Sequence, residues 1–202
     1  MSLLCFDLET APNWELIHAN EEAADAFCTK RNIEADKLGL YPQWGKIVGV
    51  AWGYSREEIQ SAVGPDELEI LGTGPGGFVS ELQKMPTLLG HYIKNFDIPF
   101  LAWRLLAHKT PLPEGLRLAG KKPWEIAHID TYDLLKFGGH NSASLNDACV
   151  AFGLPSPKGD VDGSMIDKLV QQGNWGKIRS YVLGDVRSEM ELYRHICALG
   201  GG

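Results

Sequence analysis

Two acidic residues separated by one position lie near the start of the chain. Asp7 and Glu9 overlap the end of an apolar run that begins with Leu3–Phe6, and alternate residues of a β-strand project from the same face of a sheet. Two carboxylates placed side by side repel each other and are costly to desolvate unless a bound cation compensates their charge. For this pair taken alone, an ordinary solvent-exposed strand end is the favoured interpretation, and a cation site is the functional alternative.

A further acidic position lies in a long helical stretch. Tyr181 and Asp185 are four residues apart, a spacing that places them on one face of a helix. The same face carries Ile178, Val182 and Val186, so Asp185 lies on or beside the stripe that should pack inward. An aspartate in that position needs a partner. The alternatives to a functional role are a Lys or Arg partner, or a helix rotated so that Asp185 is exposed.

A third acidic position, Asp97, follows Asn95 and Phe96 and precedes Pro99. Helical periodicity over Phe96–His108 predicts a helix that begins here. An aspartate before a helix with proline in its first turn is typical of an N-cap, which is the alternative to a functional carboxylate. Asp97 therefore gains functional meaning only in combination with the other acidic positions.

The elements that must position these residues are strands early in the chain and helices later. Strand patterns cover Leu3–Glu9, Lys46–Tyr54, Ile59–Val63, Leu68–Leu71, Thr87–Ile93 and a segment near Ile126–Ile129. Helical patterns cover a segment between Asn20 and Gly39, then Phe78–Lys84, Phe96–His108, Ser144–Phe152, Ser164–Gln171 and Trp175–Ala198. This order favours an α/β fold with a mixed sheet flanked by helices. Residues 10–45 are predicted to be a long helical connection that could act as a lid.

Length and composition limit the classes of protein to consider. The 202 residues, 44% hydrophobic and 22% charged, fit a single folded domain over residues 1–202. No apolar run approaches the roughly 20 residues needed to cross a bilayer, and no secretory signal is recognisable, so we expect a cytoplasmic protein with no membrane partner. The four cysteines form no Cys-x-x-Cys pair, which excludes zinc-ribbon and thioredoxin-like sites.

The net charge of −7 argues against a protein that binds nucleic acid by charge alone. This argument is weak for an acidic metal site, because carboxylates that hold divalent cations are neutralised when the cations bind. The distribution of the carboxylates therefore matters more than their total number.

Several other features have a structural and a functional interpretation. The segment Gly72–Gly77 matches Gly-x-Gly-x-x-Gly, but Pro75 removes a backbone donor, so we interpret it as a turn and not as a cofactor loop. The basic segment 101–122, which includes Arg104, could track a nucleic-acid backbone or be an ordinary solvated loop. For the remaining residues, packing, turn and capping roles are favoured over base stacking or metal binding: Trp14, Tyr41, Trp44, Asp130 and Asp133.

Taken together and in this order along the chain, the acidic motifs resemble the DEDD (DnaQ-like) superfamily of 3′–5′ exonucleases. Phe6–Thr10 matches the first motif, Asn95–Asp97 the second, and the pair Tyr181 and Asp185 the third motif of the tyrosine (DEDDy) subclass. The sequence is most similar to stand-alone exonuclease domains related to the proofreading domain of family B DNA polymerases. The chain departs from this pattern at Tyr92, where the family often has Asn.

The resemblance implies a ribonuclease H-like fold and a site for two divalent cations, Mg²⁺ or Mn²⁺. By resemblance, Asp7, Glu9 and Asp185 hold the first cation, while Asp7 also reaches the second and Asp97 supports it. Since the reference pKa of tyrosine is about 10, Tyr181 is a poor base near neutral pH, and we expect it to orient the water nucleophile. The terminal nucleotide of the substrate is expected to contact Thr10 and Asn95.

The function implied is a metal-dependent 3′–5′ exonuclease that removes nucleotides from single-stranded ends. The expected partner is single-stranded nucleic acid with a free 3′ end, DNA more than RNA, and replication or repair proteins are further candidate partners. The alternatives are a 3′–5′ exoribonuclease on the same fold and a catalytically silent module that binds nucleic acid or replication proteins. A silent module would have no reason to keep four carboxylates and Tyr181, which argues against it.

Overall fold

The computed structural model describes residues 2–140, 142–156 and 161–201. At its centre is a mixed five-stranded sheet in the order β3-β2-β1-β4-β5. The strands are β1 (Leu3–Pro12), β2 (Gly45–Gly53), β3 (Ile59–Val63), β4 (Thr87–Gly90) and β5 (Ile129–Asp130). The central strand β1 is antiparallel to β2 and parallel to β4, and β5 extends the parallel side.

Helices cover both faces of the sheet. They are α1 (Trp14–Ala19), α2 (Glu21–Arg31), α3 (Glu67–Leu71), α4 (Phe78–Leu82), α5 (Asp97–Ala107), α6 (Thr131–Leu134), α7 (Leu145–Ala151), α8 (Ile166–Gln171) and α9 (Trp175–Ala198). Short 3₁₀ turns occupy Ala35–Leu40, Glu114–Leu116, Pro123–Glu125 and Gly163–Met165. The predicted α/β fold with a mixed sheet flanked by helices is confirmed. Within the described ranges, no helix is both long and apolar enough to cross a membrane.

The alternation of β1 assigns its residues to two packing layers. Leu4, Phe6 and Leu8 enter a core formed with α4 and α5, whereas Cys5 packs with Val182 and Val186 of α9 on the opposite face. Because side chains alternate along a strand, Asp7 and Glu9 share the face of Cys5, toward α9. This alternation agrees with the prediction that Asp7 and Glu9 project from one face of the sheet.

One predicted strand is wrong. Leu68–Leu71 belongs to helix α3, because the side chain of Asp66 accepts hydrogen bonds from the N–H groups of Leu68 and Glu69. Gly72 ends this helix in the left-handed conformation, with φ +56°. The N-cap aspartate and C-terminal glycine are local helix signals that outweigh a short apolar run.

The connection between β1 and β2 is helical, as predicted, although β1 itself continues to Pro12. Helix α2 follows Asn20, but the Asn20 side chain donates to the Leu16 carbonyl at 2.9 Å and does not cap α2. Helix α2 ends at Arg31, earlier than expected, and Gly39 lies in the following 3₁₀ turn. The indole rings of Trp14 and Trp44 pack against Ile17, Ala24 and Leu38. Tyr41 contacts the ring of Phe27 edge to face, with centroids 5.1 Å apart. These contacts confirm the packing interpretation of the three aromatic residues.

Two of the ambiguous features have structural roles. Gly72–Gly77 is the turn between α3 and α4, where a Cβ on Gly77 would lie 2.3 Å from the Gly72 carbonyl oxygen. Arg104 of the basic segment does not face solvent: its guanidinium forms a buried ion pair with Glu67 at 2.6 Å. Neither alternative for the basic segment, a nucleic-acid contact or a solvated loop, therefore describes Arg104.

Candidate metal centre and adjoining cleft

Three carboxylates meet between β1 and α9. One ligand oxygen from each of Asp7, Glu9 and Asp185 can be chosen so that all lie within 4.8 Å of one another. Strand β1 supplies the first two from one face, and α9 crosses that face and supplies the third. Such a group of oxygen donors fits a hard divalent cation.

Burial makes this cluster electrostatically unfavourable without a cation. Glu9 and Asp185 are 6% and 8% exposed, and Asp7 is half-buried. Burial first, and then the neighbouring carboxylates, raises the pKa of Asp7 and of Glu9 well above the usual range. Burial likewise raises the pKa of Asp185 to about 7, although a hydrogen bond from Tyr181 opposes this change.

No basic side chain neutralises the cluster in the part of the chain that the structure describes. The ion pairs found there join other residues. Glu9 therefore does not lie at a solvent-exposed strand end. Asp185 has no Lys or Arg partner among the described residues. Since an uncompensated buried charge is costly, the donor set fits a bound divalent cation.

Asp97 approaches the cluster from helix α5. It is the first residue of α5, and Phe96 occupies the N-cap position, so the N-cap interpretation of Asp97 is wrong. The Asp97 carboxylate instead accepts a hydrogen bond of 3.3 Å from the Leu8 N–H, between Asp7 and Glu9. Burial raises the pKa of Asp97 to about 7, although its own N–H and that of Leu8 oppose this. Asp97 is not among the three residues that can share one ion.

Tyr181 lies one helical turn before Asp185 on α9, and its hydroxyl is hydrogen-bonded to that carboxylate. Burial raises the pKa of Tyr181 far above its ordinary value of 10, and the negative charges of Asp185, Glu9 and Asp7 raise it further. In the metal-free protein the hydroxyl therefore remains protonated near neutral pH, where it can donate and accept hydrogen bonds.

A cleft of about 210 Å³ opens beside the carboxylates. Its lining combines Asp7, Tyr181 and Asp185 with residues that the sequence analysis did not single out: His91, Ser144, Leu145 and Asn146. His91 enters from the turn after β4, and the other three come from the start of α7. The cleft therefore joins the acidic cluster to a second wall that is free of acidic side chains.

A hydrogen-bonded chain that the sequence analysis missed supports this wall. Thr131 Oγ1 lies 2.7 Å from Glu189 Oε1 and 3.0 Å from His91 Nδ1, and His91 Nε2 lies 3.0 Å from the Ala143 carbonyl oxygen. Glu189 is 3% exposed, and its Oε2 has no hydrogen-bond partner among the described residues. Glu189 follows Asp185 by four residues on α9, which is the signal that could have identified it.

Burial sets the electrostatics of this chain. It raises the pKa of Glu189 to about 8 and lowers the pKa of His91. The Thr131 hydroxyl donates to Glu189 Oε1, and this hydrogen bond opposes the rise in the pKa of Glu189. His91 Nε2 faces the Ala143 carbonyl, which can only accept, so this nitrogen carries a proton.

The two predicted nucleotide contacts lie outside this cleft. Thr10 lines a separate cavity of about 240 Å³ together with residues of the Ala35–Leu40 turn and of the Gly163–Met165 turn. Asn95 is exposed in the turn before α5, where its N–H donates to the Tyr92 carbonyl at 3.1 Å. The structure therefore brings the three clustered carboxylates and Tyr181 together, and it does not bring Thr10 and Asn95 to the same cavity.

Asp130 holds the turn that carries His91. It is 1% exposed, and its carboxylate accepts from the N–H groups of Tyr92 at 2.7 Å, Lys94 at 3.0 Å and Tyr132 at 3.0 Å. The last of these contacts caps helix α6. The turn and capping interpretation of Asp130 is confirmed. Its neighbour Asp133 forms ion pairs with lysine side chains.

Comparisons with known proteins were consistent with this arrangement. Residues 76–201 match a family described as "predicted 3′–5′ exonuclease related to the exonuclease domain of PolB". The matched part includes Asp97, Tyr181 and Asp185, and it begins after Asp7 and Glu9. No curated protein matched the chain.

Among solved structures, the chain resembles the family B DNA polymerase from the hyperthermophilic archaeon Pyrobaculum calidifontis. The TM-score is 0.68 at 19% sequence identity, over 96% of this chain and 24% of the polymerase chain. The likeness supports the expected ribonuclease H-like fold, and this chain spans about a quarter of the polymerase. Because the matched family covers more than half of the sequence, the chain belongs to the predicted 3′–5′ exonucleases related to the exonuclease domain of PolB.

Proposed function

We propose that this protein is a metal-dependent 3′–5′ exonuclease that removes nucleotides from single-stranded DNA ends. The observation that supports this most directly is the cluster of Asp7, Glu9 and Asp185, which lies beside a cleft and which no basic side chain of the described residues neutralises. Family membership supports the reaction class, and the relationship to PolB supports DNA as the substrate. We also propose that residues 1–202 act as one exonuclease domain, and that its further partners are replication or repair proteins.

The donor set determines which cations we expect. Carboxylate oxygens suit Mg²⁺ and Mn²⁺, and we propose that Asp7, Glu9 and Asp185 hold one such ion while Asp7 and Asp97 hold a second. Two bound divalent cations would supply a reactive water nucleophile and neutralise the charge that develops on the phosphate and the leaving oxygen. The protein's own contribution is to keep four carboxylates at the required positions on β1, α5 and α9.

Tyr181 and the nucleotide contacts complete the proposed mechanism. The Tyr181 hydroxyl stays protonated and donates to Asp185, so its oxygen is available to accept a hydrogen bond from the attacking water. This orients the nucleophile without requiring Tyr181 to take a proton. We propose that Thr10 and Asn95 contact the terminal nucleotide from outside the cleft, because each lies close in sequence to a carboxylate of the site.

The test is digestion of matched 5′-labelled DNA and RNA oligonucleotides in Mg²⁺, in Mn²⁺ and in excess chelator. The proposal predicts shortening of single-stranded DNA in either metal and none in chelator. Asp185→Asn should abolish shortening, whereas Asp25→Asn, which changes an exposed carboxylate of α2 in the same way, should not. Faster shortening of RNA would identify an exoribonuclease, and binding without shortening would identify a silent module.

A further inference from the structure

We propose that the ring of Tyr92 is a stacking platform for a base of the single-stranded substrate, immediately outside the cleft. This inference rests on the proposed function and concerns how the site recognises its substrate. The backbone conformation at position 92 does not suit the tyrosine present there. Tyr92 has φ +67°, in the left-handed region that bulky residues other than glycine rarely adopt.

The turn around Tyr92 enforces this conformation. The buried Asp130 carboxylate binds the N–H groups of Tyr92 and Lys94 at 2.7 and 3.0 Å. The Tyr92 carbonyl in turn accepts from the N–H groups of Asn95 and Phe96, both at 3.1 Å. Asn is the residue that tolerates left-handed backbone best after glycine. The backbone therefore does not explain a tyrosine here, and strained residues of this kind concentrate at binding sites.

Packing does not explain the tyrosine either. Tyr92 is 44% exposed, although an aromatic ring that served only the core would be buried. Its one described ring contact is with Tyr132, edge to face, with centroids 4.9 Å apart and planes at 70°. That contact restrains the orientation of the Tyr92 ring while leaving a large part of the residue accessible.

The surroundings of the ring fit a polynucleotide. Tyr132 also contacts His91, with ring centroids 5.6 Å apart, and His91 lines the cleft that contains the carboxylates. Lys136 lies over the Tyr132 ring, with its Nζ 4.8 Å from the centroid and 2.8 Å from the Asp133 carboxylate. Exposed aromatic rings with nearby cations are the arrangement by which proteins bind single strands without sequence preference. Loss of one such base contact weakens binding by about tenfold.

The experiment measures equilibrium binding of single-stranded DNA by fluorescence anisotropy, with Ca²⁺ in place of Mg²⁺ to suppress turnover. Three proteins are compared: the unmodified chain, Tyr92→Phe, which keeps a ring, and Tyr92→Asn, which removes the ring and suits the backbone. We expect Tyr92→Asn to bind about tenfold more weakly while melting at the same or a higher temperature. Tyr92→Phe should bind as the unmodified protein does.

Oligonucleotides with one abasic nucleotide, placed in turn at each of the last four positions, locate the contact. One position should weaken binding to the unmodified protein and have little further effect in Tyr92→Asn. Equal affinity of the unmodified and Tyr92→Asn proteins for DNA would overturn the inference. A lower melting temperature of Tyr92→Asn would also overturn it, if an abasic nucleotide weakened binding equally at all four positions. Degradation of DNA with unchanged Tyr92→Asn affinity would leave the proposed function standing. Position-specific binding without degradation in Mg²⁺ would support the stacking role of Tyr92 and contradict the proposed exonuclease function.

Discussion

Replacing Asp185 by Asn should make the metal-free protein more stable while removing its activity. Asp185 is 8% exposed, and its charge is disfavoured by burial. Asn keeps the shape and can still accept the Tyr181 hydrogen bond, but it carries no charge. The variant therefore isolates the electrostatic cost of holding this carboxylate ready for a cation.

The magnitude follows from the pKa. The pKa of Asp185 is raised from 3.8 to about 7 in the folded protein, and each pH unit of difference corresponds to about 1.4 kcal/mol. Because the folded pKa is raised, the unfolded chain releases the proton more easily, and stability falls as pH rises from about 4 to about 7. Above pH 7 this carboxylate destabilises the metal-free protein by about 4 kcal/mol.

The assay is urea unfolding at pH 5 and pH 8 in excess chelator. At pH 8 the free energy of unfolding of Asp185→Asn should exceed that of the unmodified protein, and the difference should shrink at pH 5. Mg²⁺ should stabilise the unmodified protein strongly and the variant weakly, whereas Asp25→Asn should behave as the unmodified protein does. An Asp185→Asn variant that is less stable at pH 8 in chelator would refute the reasoning.

Three further outcomes are expected. Tyr181→Phe should lower turnover by about 10²-fold without changing Ca²⁺ affinity in calorimetry, and unchanged turnover would remove Tyr181 from the mechanism. Chelator should abolish DNA cleavage, Mg²⁺ or Mn²⁺ should restore it, and Ca²⁺ should bind yet support little turnover; cleavage in excess chelator would contradict the metal site. Burial alone would raise the pKa of Glu67, but hydrogen bonds from Arg104, Ile47 and His108 lower it below its usual range. Glu67→Gln should therefore destabilise the fold by about 3–5 kcal/mol above pH 5, and by less as pH falls below the pKa of Glu67 in the unfolded chain. Equal free energies of unfolding for Glu67→Gln and the unmodified protein at pH 7 would show that this buried ion pair contributes nothing.

The acidic motifs were predictable from the sequence because their geometry is set locally. The two-residue period of a strand puts Asp7 and Glu9 on one face, and the four-residue spacing of a helix aligns Tyr181 with Asp185. Only tertiary packing determines that α9 crosses the acidic face of β1. The resemblance to a known family supplied that step, and the structure is consistent with it.

The errors came from positions where a local signal has more than one structural outcome. Asp97 matches the N-cap pattern, but its carboxylate accepts from the Leu8 N–H of a distant strand, a contact that no local pattern encodes. Leu68–Leu71 was predicted as a strand because short apolar runs do not distinguish strands from buried helices. Glu189 was overlooked because its partner, Thr131, lies 58 residues earlier.

The measurement that tests the central claim most directly is the polarity of digestion on 5′-labelled single-stranded DNA in Mg²⁺. With a free 3′ end, the account predicts a ladder of products shortened stepwise, with release of mononucleotides. A bulky group on the 3′ end should stop digestion, whereas the same group on the 5′ end should not. Cleavage of the 3′-blocked strand, or of a circular single strand, would contradict the assignment of this protein as a 3′–5′ exonuclease.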